Sequence, residues 1–264
     1  MKPVLFEIWG IKVYGYGTMI AIGIIAAVML FSSRAKKKGY EEEKTLDMSI
    51  IAIALGVIGG KLLYIITEMK NIITNGFNFK ELGFGFVVYG SIIGGILGAY
   101  LYCRMKKWNV LKIFDLVIPG LPLAQGFGRI GCFLAGCCYG AETTSSLSVV
   151  FKDIPNSQAP AGIHLHPTQI YSSIFDFALA AFLLWYSKKE RKDGRVFSMY
   201  LIFYSIGRFC VEFLRNDPRG NVGVLSTSQF ISIFILIIGV VIYNLERFKK
   251  LMVKDNKEGR EISE

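Results

Sequence analysis

Residues 15–33, GYGTMIAIGIIAAVMLFSS, contain no charged side chain. An α-helix needs about 20 predominantly apolar residues to cross roughly 30 Å of hydrocarbon, so this stretch predicts a membrane-spanning helix. The composition of the whole chain agrees: of 264 residues, 53% are hydrophobic and 19% are charged, and the mean hydropathy is +0.45. Such a composition excludes an ordinary soluble enzyme.

Seven segments in all are apolar enough to span a membrane. They are 15–33, 46–66, 84–103, 111–136, 168–187, 196–214 and 226–245. Pro119, Pro122 and several glycines interrupt the fourth segment. Because a broken helix is tolerated in a membrane only where protein or a water-filled cavity covers the freed backbone groups, residues 119–140 are either a site or a kinked packing helix. We expect an all-α polytopic membrane protein with seven transmembrane helices.

Basic residues are concentrated on alternate connections between these segments. Twenty of the 30 lysines and arginines lie in 34–44, 104–112, 188–195 and 246–264. The positive-inside rule then places the N-terminus outside and the C-terminus in the cytoplasm. Attraction to anionic headgroups accounts for the net charge of +10, and we expect no nucleic-acid binding.

The same pattern predicts the domain organisation. We expect residues 1–245 to form a single integral membrane domain, in which 137–167 is the one sizeable outer segment, between spans four and five. Residues 246–264 would be a basic cytoplasmic tail. No cleavage site follows the first apolar run, so we expect that run to remain as the first span.

Charged residues within the apolar segments indicate a site, since an arginine near the bilayer centre costs at least about 2.5–3.5 kcal/mol. Glycines surround Arg129 and let a lipid or another backbone approach it closely. Arg208 and Glu212 are four residues apart, which also fits an intrahelical ion pair. The planar set of N–H donors on a guanidinium group fits the oxygens of a phosphate group. The residues therefore predict a membrane protein that handles an anionic lipid, as an enzyme or as a transporter.

Other polar residues fall at the outer ends of the segments. Residues 89–91, Tyr-Gly-Ser, begin a stripe of small residues that is typical of helix packing first and of a site second. His166 precedes a proline at the start of the fifth span. It is either a helix-terminus residue or the one local group with a pKa suited to base chemistry.

The cysteines do not follow a usual metal-binding pattern. Cys132, Cys137 and Cys138 form C-x4-C-C, and the chain has only two histidines. We expect no metal and no cofactor. A redox-sensitive role for the three remains an alternative, whereas Cys103 and Cys210 are expected to be packing residues.

Three motifs, in order, resemble the prolipoprotein diacylglyceryl transferase family. They are Gly128-Arg129-Ile130-Gly131 followed by Gly136 and Gly140, then HPTQIY at 166–171, then Tyr204 followed by GRFCVEF at 207–213. The order, the spacings and the seven spans all agree with that family. The resemblance covers roughly residues 10–245.

This resemblance implies a multi-pass enzyme of the bacterial plasma membrane. It would transfer the diacylglyceryl group of phosphatidylglycerol to the lipobox cysteine of prolipoprotein signal peptides, giving a thioether and releasing glycerol 1-phosphate. We expect it to be a monomer. By resemblance, Arg129 and Arg208 would hold the phosphate. The candidate substrate-binding residues are Tyr16, Ser91, Cys132, Cys137, Gly140, Tyr204 and Glu212.

The chain departs from the family pattern at three places. Typical members have His-Gly-Gly in place of residues 89–91, and Asn and Glu in place of Cys132 and Cys137. The base would then be Tyr89, His166 or the acceptor's own thiolate. The alternatives are a paralogue with another lipid donor or acceptor, and a non-catalytic phospholipid-binding or transport protein. A transporter predicts an inverted repeat, which the sequence does not show.

Overall fold

The computed structural model describes residues 3–8, 10–69, 85–153, 157–218 and 220–261, without side chains beyond residue 245. It is mostly helical. The helices are α1 (Gly15–Lys36), α2 (Glu42–Thr67), α3 (Val88–Met105), α4 (Val110–Val117), α5 (Gly120–Ala135), α6 (Thr168–Tyr186), α7 (Arg195–Glu212) and α8 (Thr227–Glu261). Three antiparallel pairs of short strands accompany them: β1 (Val4–Ile8) with β2 (Ile11–Tyr14), β3 (Val149–Val150) with β4 (His164–Leu165), and β5 (Asn221–Val222) with β6 (Leu225–Ser226).

Each of the seven predicted apolar segments overlaps a helix, although 85–87, 118–119 and a few residues at other segment ends are not helical, and residue 84 lies outside the described residues. Within the described ranges, five helical segments are long and apolar enough to cross a membrane. They are Gly15–Lys36, Glu42–Thr67, Val110–Ala135, Thr168–Tyr186 and Thr227–Leu245. Helices α3 and α7 are not among these five, and α7 carries Arg195, Arg208 and Glu212.

The predicted break in the fourth segment is confirmed. Helix α4 ends at Val117 and α5 begins at Gly120, and the Leu121 amide donates to the Ile118 carbonyl across the turn. Proline has no amide hydrogen and fixes its own φ, so Pro119 belongs at such a helix start. Helix α8 continues through most of the predicted tail, as far as Glu261.

By backbone contacts, residues 28–116 form one compact unit, and residues 1–27 with 117–264 form another. In the 28–116 unit, α2 packs against α3 through glycines. A Cβ on Gly90 or Gly94 would collide with backbone atoms of α2. The expectation that this stripe serves helix packing is therefore confirmed, since only glycine lets the two backbones approach so closely.

In the other unit, α5 is the central element. Its Gly131 lies against Tyr16 of α1, where an added Cβ would be 3.2 Å from the tyrosine ring. On its other side, Ser173 of α6 donates a hydrogen bond of 2.9 Å to the Gly126 carbonyl. Helices α6 and α7 share a core of Leu179, Leu183, Val196 and Tyr200. These contacts fix α5, α6 and α7 beside one another.

The described parts of the predicted outer segment, 137–153 and 157–167, are ordered by backbone hydrogen bonds around Gly140. The Gly140 amide donates to the His166 carbonyl at 3.0 Å, and the Ala141 amide donates to the Leu214 carbonyl at 2.8 Å. This extended segment therefore connects the start of α6 to the end of α7.

Candidate active site

A small cavity lies between α5, α6 and α7. Its volume of about 10 Å³ is about the space that one water molecule needs. Arg129 contributes from α5 and Arg208 from α7, so the structure brings together the two arginines that the sequence analysis selected. The other lining residues are Ser172, Phe175, Asp176, Tyr204, Gly207 and Val211. Tyr204, a predicted substrate-binding residue, is thus confirmed as a neighbour of both arginines.

A chain of ion pairs extends from Arg208 past the end of α7. Arg208 Nη1 lies 2.6 Å from Glu212 Oε2, and its Nη2 donates to Ser228 Oγ at 2.7 Å. Arg215 lies 3.8 Å from the same Glu212 oxygen. The Glu212 side chain is only 1% exposed, so it depends on these partners. The expected intrahelical ion pair is confirmed.

Arg215 is the last arginine in this series of ion pairs, and it forms a bidentate contact with Asp217. Its Nε donates to one carboxylate oxygen at 2.9 Å and its Nη2 donates to the other at 2.7 Å. Although burial disfavours the charged form, the hydrogen bonds with Asp217 hold the pKa of Arg215 above its usual value. Arg215 therefore stays charged and committed to its carboxylates.

Arg129 is in a different position. Among the residues that the structure describes, none forms a hydrogen bond or ion pair with its guanidinium, although Asp176 and Tyr204 are close enough to interact with it electrostatically. Arg208 and Arg215 have their carboxylates, whereas the donors of Arg129 remain available. A phosphate is the ligand that would complement a planar guanidinium in so poorly hydrated a place.

Gly140 and His166 lie where the segment after α5 is hydrogen-bonded to the residues before α6 and to the end of α7. A Cβ on Gly140 would lie 2.6 Å from His166 Cβ and 2.7 Å from both the His166 and Leu214 carbonyl oxygens. No other residue fits there without moving the backbone. The His166 ring lies outside the arginine cavity, and its Nδ1 is 3.5 Å from the Tyr171 hydroxyl.

Three cysteine thiols converge at the C-terminal end of α5, Cys132 from its last turn and Cys137 and Cys138 from the segment that follows. The Sγ atoms of Cys132, Cys137 and Cys138 lie within 4.8 Å of one another. Hydrogen bonds from the other two thiols, together with the nearby charges of Arg215 and Arg129, lower the pKa of the Cys138 thiol. The spacing of these cysteines in the sequence did not predict this convergence.

The remaining predicted site residues lie elsewhere. Tyr16 is 44% exposed in the first turn of α1, where it contacts Gly131 of α5. Tyr89 and Ser91 belong to α3, in the 28–116 unit. Tyr89 is 41% exposed, whereas the Ser91 hydroxyl is buried without a hydrogen-bond partner in the described part of the chain.

Two residues near the arginines were not among the predicted site residues. Asp176 is 3% exposed beside both arginines, and its charge within an apolar segment already marked it in the sequence as needing a partner or a cavity. Ser228 gave no signal, because a serine at a helix start is ordinary and only tertiary packing brings it to Arg208.

Comparison with known proteins places these features in a family context. Residues 3–245 match the family described as prolipoprotein diacylglyceryl transferase. The chain is 62% identical over 250 residues to the phosphatidylglycerol–prolipoprotein diacylglyceryl transferase of Clostridium tetani, covering 95% of this chain and 100% of that protein. It is 59% identical to transferase 2 of Clostridium perfringens, over 94% and 97% of the two chains, and 36% identical to the transferase of Clostridioides difficile, over 91% and 94%.

Proposed function

Because the chain belongs to the prolipoprotein diacylglyceryl transferase family, we propose that it transfers the diacylglyceryl group of phosphatidylglycerol to the cysteine thiol of prolipoproteins. It is a transferase and a multi-pass membrane protein. The observation that carries the proposal is the Arg129 guanidinium, which lines a cavity beside Arg208 and forms no hydrogen bond or ion pair with any residue that the structure describes.

The arginines act on the leaving group. During transfer the sulfur of the acceptor attacks a glyceryl carbon, the bond from that carbon to the phosphate oxygen breaks, and glycerol 1-phosphate leaves with the electron pair. Negative charge on the phosphate grows as the bond breaks. Donors already fixed around that charge stabilise the transition state more than the ground state. Arg129 supplies a fork of donors, and Arg208 supplies further positive charge.

The second arginine is positioned by its partners rather than left to move. Glu212 and Ser228 hold the Arg208 guanidinium at 2.6 and 2.7 Å, so its orientation is set before the donor binds. Glu212 thereby acts as a positioning residue. Tyr204, Gly140 and Tyr16 remain candidates for the lipid and acceptor side of the site, as do Tyr89 and Ser91.

The cavity has room for about one water molecule, so a phosphate cannot enter it whole. We infer that the headgroup lies across its entrance and reaches Arg129 from there, or that α6 and α7 separate when the lipid binds. Tyr89 and His166 stay candidates for the base, together with the acceptor's own thiolate.

The membrane arrangement follows from helix length and charge. We propose seven spans in the bacterial plasma membrane, α3 and α7 among them: Arg104 is exposed at the end of α3, and Arg208 and Glu212 of α7 form an ion pair within the protein. The N-terminus would be outside and the C-terminus in the cytoplasm, and the protein would act as a monomer.

Direct assay tests the function. The purified protein is incubated with phosphatidylglycerol and a lipobox peptide, and the peptide is weighed by mass spectrometry. We expect the mass of one diacylglyceryl group to be added to the cysteine, and no addition to a peptide with serine in its place. An unchanged peptide, beside an active relative, would contradict the proposal and favour a non-catalytic phospholipid-binding or transport protein. Transfer from another phospholipid alone would indicate a paralogue with a different donor.

A further inference from the structure

The three thiols at the C-terminal end of α5 are almost close enough together to bind one metal ion. Their Sγ atoms lie within 4.8 Å of one another. Sulfur ligands of a tetrahedral zinc ion, each about 2.3 Å from the metal, are about 3.8 Å apart. A movement of about 1 Å, within the range of side-chain rotation, would therefore complete the coordination of Cys132, Cys137 and Cys138.

The backbone around these thiols is fixed from two sides. Gly136 ends α5 in the left-handed conformation, with φ of 70°, and Cys138 also has a positive φ of 60°. Left-handed backbone in a residue other than glycine costs about 1–3 kcal/mol and persists only where its surroundings impose it. Here the fully buried side chains of Gln169 and Thr168 donate to the Cys137 and Cys138 carbonyls at 2.7 and 2.8 Å. Such support is what orients the ligands of a metal.

The charges also suit a bound cation with three thiolates. Three thiolates and one Zn²⁺ carry a net charge of −1, and both Arg129 and Arg215 are close enough to Cys138 to offset it. Sulfur ligands select soft or borderline ions over Mg²⁺ and Ca²⁺. Three protein ligands with a fourth position open are the arrangement of catalytic zinc sites, whereas structural sites have four.

The geometry points to a zinc site at Cys132, Cys137 and Cys138 whose open fourth position binds the thiol of the acceptor cysteine. This inference rests on the proposed transferase function, because the acceptor is the thiol of that reaction.

The site would supply the thiolate that the reaction needs. A thiol that coordinates zinc is deprotonated, and its proton passes to solvent. The zinc-bound sulfur attacks the glyceryl carbon, the S–C bond forms as the C–O bond breaks, and glycerol 1-phosphate leaves. Cys132 follows Arg129 by three residues, so the two lie on one face of α5. Acceptor thiolate and leaving phosphate would thus be held side by side, without a histidine or tyrosine as base.

Metal content tests the site without reference to activity. We expect about one zinc ion per chain in the detergent-purified protein, as measured by elemental mass spectrometry. Cys132→Ser, Cys137→Ser and Cys138→Ser should each lose it, whereas Cys210→Ser, on the exposed side of α7, should keep it. Cobalt in place of zinc should give a thiolate-to-cobalt charge-transfer absorption that increases when a lipobox peptide is added but not when its cysteine is replaced by serine.

The possible results separate the two proposals. Undiminished transfer by chelator-treated, metal-free protein would overturn the zinc site and leave the transferase standing. Zinc bound by all three thiols without transfer would overturn the transferase and the role of the open position. Copper(I) alone at the site, or a disulfide among the three cysteines that persists in reducing buffer, would overturn the assignment of zinc. If a serine variant fails to fold, the cobalt spectrum of the unaltered chain decides.

Discussion

Arg129 and Arg208 have similar glycine-containing sequence contexts but different surroundings in the fold. Arg208 is paired with the buried Glu212 and bonded to Ser228, whereas the Arg129 guanidinium has neither kind of partner among the described residues. Removing each arginine should therefore have a different consequence for stability, although both removals should reduce activity.

For Arg129→Ala we expect transfer to fall by about 10²–10³-fold, the usual loss when one donor to a developing negative charge is removed. The thermal unfolding midpoint should stay the same or rise, because no ion pair is broken. The peptide mass assay and thermal unfolding in detergent measure the two effects. Arg104→Ala, at an exposed position at the end of α3, is the matched control, and it should keep both the transfer activity and the thermal unfolding midpoint of the unaltered chain. Full activity in Arg129→Ala would rule out a phosphate role.

Arg208→Ala should lower both activity and stability. It removes the partner 2.6 Å from the buried Glu212 carboxylate and leaves the 3.8 Å contact to Arg215 in place. Breaking a buried pair costs about 3–5 kcal/mol, and we expect the lower part of that range because Arg215 remains. Adding Glu212→Gln should recover part of the lost stability but none of the activity, since it removes the buried negative charge that Arg208 had balanced. If the two stability losses simply add in denaturant unfolding, the pair is not coupled.

At the scale of elements, the site depends on close approach between backbones. Gly140 passes between the segment before α6 and the end of α7, and its amide is bonded to the His166 carbonyl. The arginine cavity needs α5, α6 and α7 at fixed separations. A change at Gly140 should therefore reach the cavity through the backbone.

Gly140→Ala should be destabilising and should reduce transfer, because the new Cβ would lie 2.7 Å from two carbonyl oxygens. Gly128→Ala tests whether the effect is local: an added Cβ there meets nothing within 4 Å, and alanine in a helix is favoured over glycine by about 1 kcal/mol. We expect the thermal midpoint to fall in the first variant and not in the second. Equal thermal midpoints in the two variants would show that the close backbone contacts at Gly140 tolerate a side chain.

At the scale of the whole molecule, charge placement sets the orientation. The proposed topology puts the C-terminus and the connections 34–44, 104–112 and 188–195 in the cytoplasm. Fusion reporters check it. Green fluorescent protein after residue 264 should fluoresce, and alkaline phosphatase inserted after residue 145 should be active. The opposite pair of results would reverse the orientation. If only one of the two reporters were active, residue 145 and the C-terminus would lie on the same side, which would contradict three spans between them.

The sequence predicted the helices well because apolar length is a local property. Every predicted apolar segment overlaps a helix, and the interruption at Pro119 occurs where proline removes an amide donor. The Arg208–Glu212 pair was also predictable, since residues four apart are neighbours on any helix. The family relationship followed from three motifs in order, and the matches over residues 3–245 confirm it.

By itself, then, the sequence determined that this chain is a helical membrane protein and which family it belongs to, because hydropathy and motif order are both local along the chain. Only the tertiary structure decided that Arg208 also bonds to Ser228 and lies beside Arg129 at one cavity, and that Cys132, Cys137 and Cys138 converge. Both depend on contacts among α5, α6, α7, α8 and the turn after Gly136. No local pattern fixes such contacts, since they arise when distant segments pack together.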